Sequence, residues 1–215
     1  MIVCFIGISS VNAQFEKGKM LLGVSSSSNL SALMAEFYNG SPNLMNFGFS
    51  TIKFKSDSDD GESEKLRNFN ISPRFGYFIV NNLAIGIDLN LSRTGFGTGD
   101  DKEIMTLLGI GPFARYYLPG KKISPFLELS GSFGSITDKY LDWNDEQVKN
   151  KQSVNSFCGG IGLAIPLAER VKLDIMGGYS SSTVKSREDN EDNARLISNT
   201  LGFKIGFLIL LGSEQ

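Results

Sequence analysis

Polar and apolar residues alternate one by one over long stretches of this chain, and within each stretch the charges fall on the polar phase. In the clearest run, Leu83, Ile85, Ile87, Leu89 and Leu91 oppose Ala84, Gly86, Asp88, Asn90 and Ser92. A period of two over this length means a β-strand with one greasy and one polar face. Phe69, Ile71, Pro73, Phe75, Tyr77 and Ile79 oppose Asn68, Asn70, Ser72, Arg74, Gly76 and Phe78 in the same way, and Val171, Leu173, Ile175, Gly177 and Tyr179 oppose Lys172, Asp174, Met176, Gly178 and Ser180. The last run is the most apolar: Ile197, Leu201, Phe203, Ile205, Phe207, Ile209 and Leu211 share one phase.

The pattern persists from the first third of the chain to its end, so one all-β domain is expected rather than two. Glycine at 24 of 215 residues, with many Ser and Asn, suits tight turns and close strand packing. Both signs of charge are mixed to a net −2, which gives nucleic acid no basic surface to bind. No apolar run after the N-terminal segment reaches the length of a helical membrane span. Entry into a membrane would therefore be as a barrel.

Connection lengths set the topology. Short connections fall at Asn81-Asn82, at Pro119 to Lys122 and at Ala168 to Arg170; long polar ones fall at Ser56 to Lys65, Gly95 to Glu103, Asp138 to Gln152 and Ser186 to Asn193. Short turns at one end and long loops at the other describe an up-and-down barrel of the outer membrane, with the turns periplasmic. The expected fold is all-β: an eight-stranded antiparallel up-and-down transmembrane β-barrel. Strands are predicted near 66–80, 83–95, 103–118, 123–137, 153–166, 170–185 and 195–211. For the first strand there are two candidates, Lys19 to Asn29 and Leu44 to Lys55, separated by an insertion from Ser31 to Asn43.

Period two alone does not say which face is wet. In a soluble, lipocalin-like barrel the apolar phase would point inward to a greasy ligand. In an outer-membrane barrel it points to lipid, and Arg74, Asp88, Arg115, Glu128, Asp174 and Lys204 become a lumenal ion-pair network of three bases and three acids. Such a network would fill an eight-stranded lumen and block a wide pore. Lys172 lies near a strand end, within reach of water. Tyr77, Phe78, Phe96, Tyr116, Tyr117, Tyr140, Trp143 and Tyr179 stand near strand ends as candidates for interfacial girdles.

The first residues, Met1 to Ala13, read as a signal peptide closing on Val11-Asn12-Ala13, which leaves residues 14–215 as the barrel domain. With no basic n-region, Met1 is expected to lie inside a longer signal. Cleavage would remove Cys4 and leave Cys158 alone, so export here implies no disulfide scaffold.

The segments ISPRFGYFIVNNLAIGIDLNL (Ile71 to Leu91), GIGPFARYYLP (Gly109 to Pro119), PFLELSGSFG (Pro125 to Gly134) and LGFKIGF (Leu201 to Phe207) resemble the outer-membrane β-barrel domain family. That family is similar in architecture to small barrels of the OmpA and OmpX type, and this version resembles those of Bacteroidetes. The resemblance implies an outer-membrane location from about Gln14 onward and names no substrate. The chain departs from it in the insertion and in a tail, Gly212 to Gln215, which either removes the terminal aromatic signal that the resemblance implies or moves it back to Phe207.

The chain contains no histidine, which removes Ser-His-Asp and Cys-His nucleophile systems and the commonest zinc ligand. Asp88, Glu128 and Asp174 are expected in salt bridges rather than as a catalytic acid pair. No enzyme, metal or cofactor is expected. The loop DSDDGESE (Asp57 to Glu64) lacks EF-hand spacing, and EDNED (Glu188 to Asp192) likewise reads as a solvated loop. Loop acids of this kind offer one route, through divalent cations, to lipopolysaccharide phosphates. The function expected is structural or surface-interacting, with the bilayer, lipopolysaccharide and surface ligands as partners; a narrow porin-like channel is the alternative.

Overall fold

The computed structural model describes residues 15–25, 48–53, 65–96, 103–119, 122–141, 147–187 and 194–212. Among them there is no helix, and ten strands follow one another: β1 (Met20–Ser25), β2 (Gly48–Lys53), β3 (Lys65–Ile71), β4 (Pro73–Val80), β5 (Leu83–Phe96), β6 (Glu103–Tyr117), β7 (Ser124–Leu141), β8 (Gln147–Pro166), β9 (Val171–Ser186) and β10 (Arg195–Leu211). Every pairing is antiparallel. Neighbours in sequence pair from β4 round to β10, and β1 closes the circle: Leu22 faces Ile209 on one side and Phe75 on the other. Closure leaves no open edge at that level, which is the condition for a sheet to live in lipid.

Ten segments make eight staves because two staves are each broken once. Ser72 alone separates β3 from β4, and the two share an unbroken register on β5, with Ile71 opposite Leu91 and Arg74 opposite Asp88. Pro73 lacks a donor N–H, so the ladder is interrupted there without the strand changing course. Opposite this stave, β1 and β2 lie end to end. Val24 opposes Pro73 and Gly48 opposes Asn70, so the ladder resumes three positions on while the chain advances from 24 to 48. Both candidates for the first strand are therefore used in series. The insertion from Ser31 to Asn43 and the segment Met1 to Ala13 lie outside the described residues.

Predicted and observed strand bounds agree closely, with one correction. The loop expected from Asp138 to Gln152 is mostly a hairpin: β7 and β8 stay paired up to Leu141 opposite Gln147, and only 142–146 connect them. At 20 residues, β8 is about twice the 9–11 residues a tilted strand needs to cross a bilayer. The excess extends past the hydrocarbon at the loop end. At the other end Asn81 and Asn82 form a two-residue turn, in which Asn82 takes φ 67°, a left-handed conformation that asparagine tolerates.

One contact between staves is unusually close. A Cβ on Gly111 would meet the Gly131 carbonyl oxygen at 1.8 Å and Ser132 Cα at 2.6 Å. The described β6–β7 pairing passes from Ile110–Phe133 to Phe113–Ser130, omitting Gly111 and Pro112. Gly111→Ala must spread these two strands, and a loss of about 1–3 kcal/mol is expected in urea unfolding of the refolded barrel. An unchanged midpoint would show that the ladder yields at no cost.

Candidate functional site

The alternation resolves into an apolar outside and a polar inside. Ile87 is 47% exposed, Leu129 57% and Ile161 67%, whereas the side chains of Arg74 and Arg115 are 2% exposed and that of Glu128 is fully buried. This is the reverse of the lipocalin-like arrangement, which is thereby excluded. A soluble monomer rarely leaves so continuous an apolar surface uncovered. The wall is built for lipid.

Inside, the register delivers the charges in cross-strand pairs. Arg74 on β4 stands directly opposite Asp88 on β5, and Arg115 on β6 opposite Glu128 on β7. Arg74 forks onto Asp88 through Nε and Nη2, each at 2.6 Å from a carboxylate oxygen. It also reaches across the lumen to Glu128, donating from Nη1 to Oε2 at 2.6 Å and from Nη2 to Oε1 at 2.9 Å. Glu128 accepts further bonds from Arg115 Nε at 2.6 Å and Lys204 Nζ at 3.0 Å. Arg115 Nη1 donates to Asp174 on β9 and, at 3.1 Å, to the Tyr117 hydroxyl. All six residues thus form one connected cluster with Glu128 at its hub, and three positive charges face three negative ones. Phe113 lies 4.2 Å beneath the Arg74 guanidinium and Phe126 4.0 Å beneath that of Arg115, giving both cations a π face as well as anions.

Layers above and below complete the filling. Toward the short turns, Phe78, Tyr117 and Phe126 pack with Leu21, Ala84 and Leu208. Phe78 and Tyr117 are fully buried there, so they are not girdle residues; Tyr77, Tyr116 and Tyr179 do face outward. Lys172 is also buried, at 2% exposure, with Nζ 4.7 Å from the ring centre of Phe15 rather than in water. Phe15 itself stacks on Tyr117 at 3.8 Å. It is held by the chain around it: Asn82 N donates to Phe15 O, Gly18 N to Phe78 O, and Lys17 N to Asn81 Oδ1. Sequence reasoning missed Phe15, Phe113 and Phe126. The signal for the latter two was there, since each shares the phase of a lumenal charge.

Above the ions comes a layer of short polar side chains, in which Asn90 Nδ2 donates to Ser132 Oγ at 3.1 Å and Ser182 Oγ to Ser156 Oγ at 3.0 Å. Leu107, Ile136, Val154 and Val184 close over it. Beyond them, in the hairpin extension, burial and then the nearby Glu103 hold the Asp138 carboxyl above its usual range. A cavity of about 10 Å³ beside Arg74, Arg115, Asp174 and Lys204 is room for one water molecule, not a conduit.

Among the described residues, no group of His, Cys, Asp and Glu side chains has metal-binding geometry. Asp88 and Asp174 are each paired with one arginine and Glu128 with two arginines and Lys204, so the cluster presents a neutralised network rather than a free acid and base.

No family model matches the chain, and no curated protein matches it. Two solved structures are similar to it in part. Neisserial surface protein A is 15% identical over 89% of this chain and 95% of that one, at a TM-score of 0.43. The outer membrane protease OmpT from Escherichia coli is 9% identical over 91% of each chain, at 0.31. The eight-stave barrel described above rests on its own strand register.

Proposed function

We propose that this chain is an integral outer-membrane β-barrel of the small OmpA/OmpX type, with a structural and surface-interaction role and no catalytic one. The observation that carries this reading is the inversion of the barrel: six ionised side chains tied together in the lumen, inside a wall of exposed Ile, Leu and Phe. A lumen so filled leaves the outer surface and the loops to act. Residues 1–13 serve as the export signal and 14–215 form the barrel domain. The partners are the bilayer, lipopolysaccharide and surface ligands reached through the loops. Carboxylates of the loop segments DSDDGESE and EDNED supply one route to lipopolysaccharide, through divalent cations.

Heat-modifiable migration in detergent gels and planar-bilayer recording test this reading together. The wild-type barrel is expected to shift on heating and to insert without a steady conductance. Arg115→Ala removes donors to Glu128, Asp174 and Tyr117 and is expected to open measurable conductance. A wild-type protein that already passes a steady current would replace the plugged barrel with the channel alternative. A detergent-independent soluble monomer would end the membrane reading altogether.

A further inference from the structure

The extended ends of β7, β8, β9 and β10 carry a second charge pattern, on the outer face rather than in the lumen. Residues directly opposite in an antiparallel ladder share a face, as do alternate residues along a strand. Lys139 stands opposite Lys149, Lys151 follows two residues on, Ser153 next along stands opposite Lys185, and Lys185 stands opposite Arg195. These five cations therefore share one face, and all are exposed. It is the lipid-facing one, because the same phase of β8 continues down through Asn155 to Phe157 and Ile161, and that of β7 down to Phe133.

Two of these juxtapositions, Lys139 with Lys149 and Lys185 with Arg195, set like charges directly across a ladder, an arrangement that costs stability. The described strands supply no relief nearby. Every acid on them (Asp88, Glu103, Glu128, Asp138 and Asp174) belongs to the lumenal phase, and among the described residues none of the five cations is in a salt bridge. The countercharge has to come from off the strands. The order of the outer face says where: Phe133, Phe157 and Tyr179 are followed by hydroxyls and an amide at Ser135, Thr137, Ser153, Asn155, Ser181 and Thr183, and then by the cations. On β7, β8 and β9, apolar, hydroxyl and cationic side chains follow one another in the order of acyl chains, their polar boundary and a phosphate-bearing headgroup.

We propose that Lys139, Lys149, Lys151, Lys185 and Arg195 form a binding face for the phosphate groups of outer-leaflet lipid headgroups, contacted directly and without a bridging metal. The inference rests on the outer-membrane reading above and names the residues that would meet the lipopolysaccharide phosphates. Each opposed pair gives a phosphate two donors at one ladder position. Lysine suits the task, since its aliphatic stem can lie along the wall while the ammonium reaches the headgroup.

The test uses the full chain refolded in neutral-detergent micelles and titrated with fluorescent diphosphoryl lipid A. Saturable binding that weakens with salt and survives EDTA is expected. The double variant Lys149→Ala, Lys185→Ala is expected to bind about thirtyfold more weakly, the effect of two cations at a membrane surface. Dephosphorylated lipid A should lose a similar factor, and inorganic phosphate at matching concentration should not compete. Equal binding by the variant, equal binding of the dephosphorylated lipid, competition by inorganic phosphate, or loss of binding in EDTA would each overturn the proposal. Failure of the barrel reading itself appears separately, as a wild-type band that does not shift on heating. The variant's own band shift confirms that it folds.

Discussion

Glu128→Ala is expected to destabilise the barrel by about 3–5 kcal/mol, because it removes the one carboxylate that Arg74, Arg115 and Lys204 all share. Asp88 still faces Arg74, and Asp174 still faces Arg115, but three lumenal cations then meet two anions. Deleting one partner strands a desolvated charge, which costs more than the intact bridge contributes. The measurement is the urea midpoint of the refolded protein, read from the unheated band on a gel. Removing Lys204 together with Glu128 restores the balance of charge and leaves Arg74 on Asp88 and Arg115 on Asp174, so the double variant Lys204→Met, Glu128→Leu is expected to recover part of the loss. A Glu128→Ala protein as stable as wild type would mean that water reaches the cluster and screens it.

The second large effect lies one residue and one face away from that network. Ile87→Arg puts a cation on the outer wall midway along the apolar run Leu83 to Leu91, between Phe75 and Pro112 of the adjoining strands. Near the bilayer midplane this costs about 2–4 kcal/mol, whereas a water-facing wall would accept the same change with little effect. Refolding into phosphatidylcholine vesicles under a urea titration separates the two cases. Ile87→Phe serves as the control and is expected to leave the midpoint nearly unchanged.

Much of this architecture is legible in the sequence because a strand cannot move one side chain without moving them all. A one-residue slip would send Asp88 into lipid and Ile87 into the lumen, so the charges pin the phase. That is why periodicity groups the six ions on one phase, and the choice of lipid for the apolar phase then puts them in the lumen. The β7–β8 extension is harder to read for the same reason. Beyond the hydrocarbon neither face has to be apolar, so Lys139, Tyr140, Val148 and Lys149 lose the alternation and pass for a loop, although they are paired. Aromatic identity misleads in its own way: Tyr116 and Tyr117 look alike as girdle residues, and only the phase shared with Arg115 sends Tyr117 inside. Lys172 lies close to a strand end, yet its surroundings are set by Phe15, a residue more than 150 positions away that no periodicity connects to it. The broken first strand is hidden for a further reason. Each half carries a strand signal, and nothing local says that both occupy a single stave.

That broken stave makes the barrel a natural host for grafting. Ser25 and Gly48 are the two ends of a gap in one strand; with Val24 opposite Pro73 and Gly48 opposite Asn70, they lie roughly 7 Å apart along the ladder at about 3.4 Å per residue. Both ends lie in the wall itself rather than at the tip of a hairpin. Pairing of β1 with β4 and β10, and of β2 with β3, holds the two ends in register whatever joins them. A foreign peptide with closely spaced termini can therefore take the place of residues 26–47, and the barrel would carry it as a cassette.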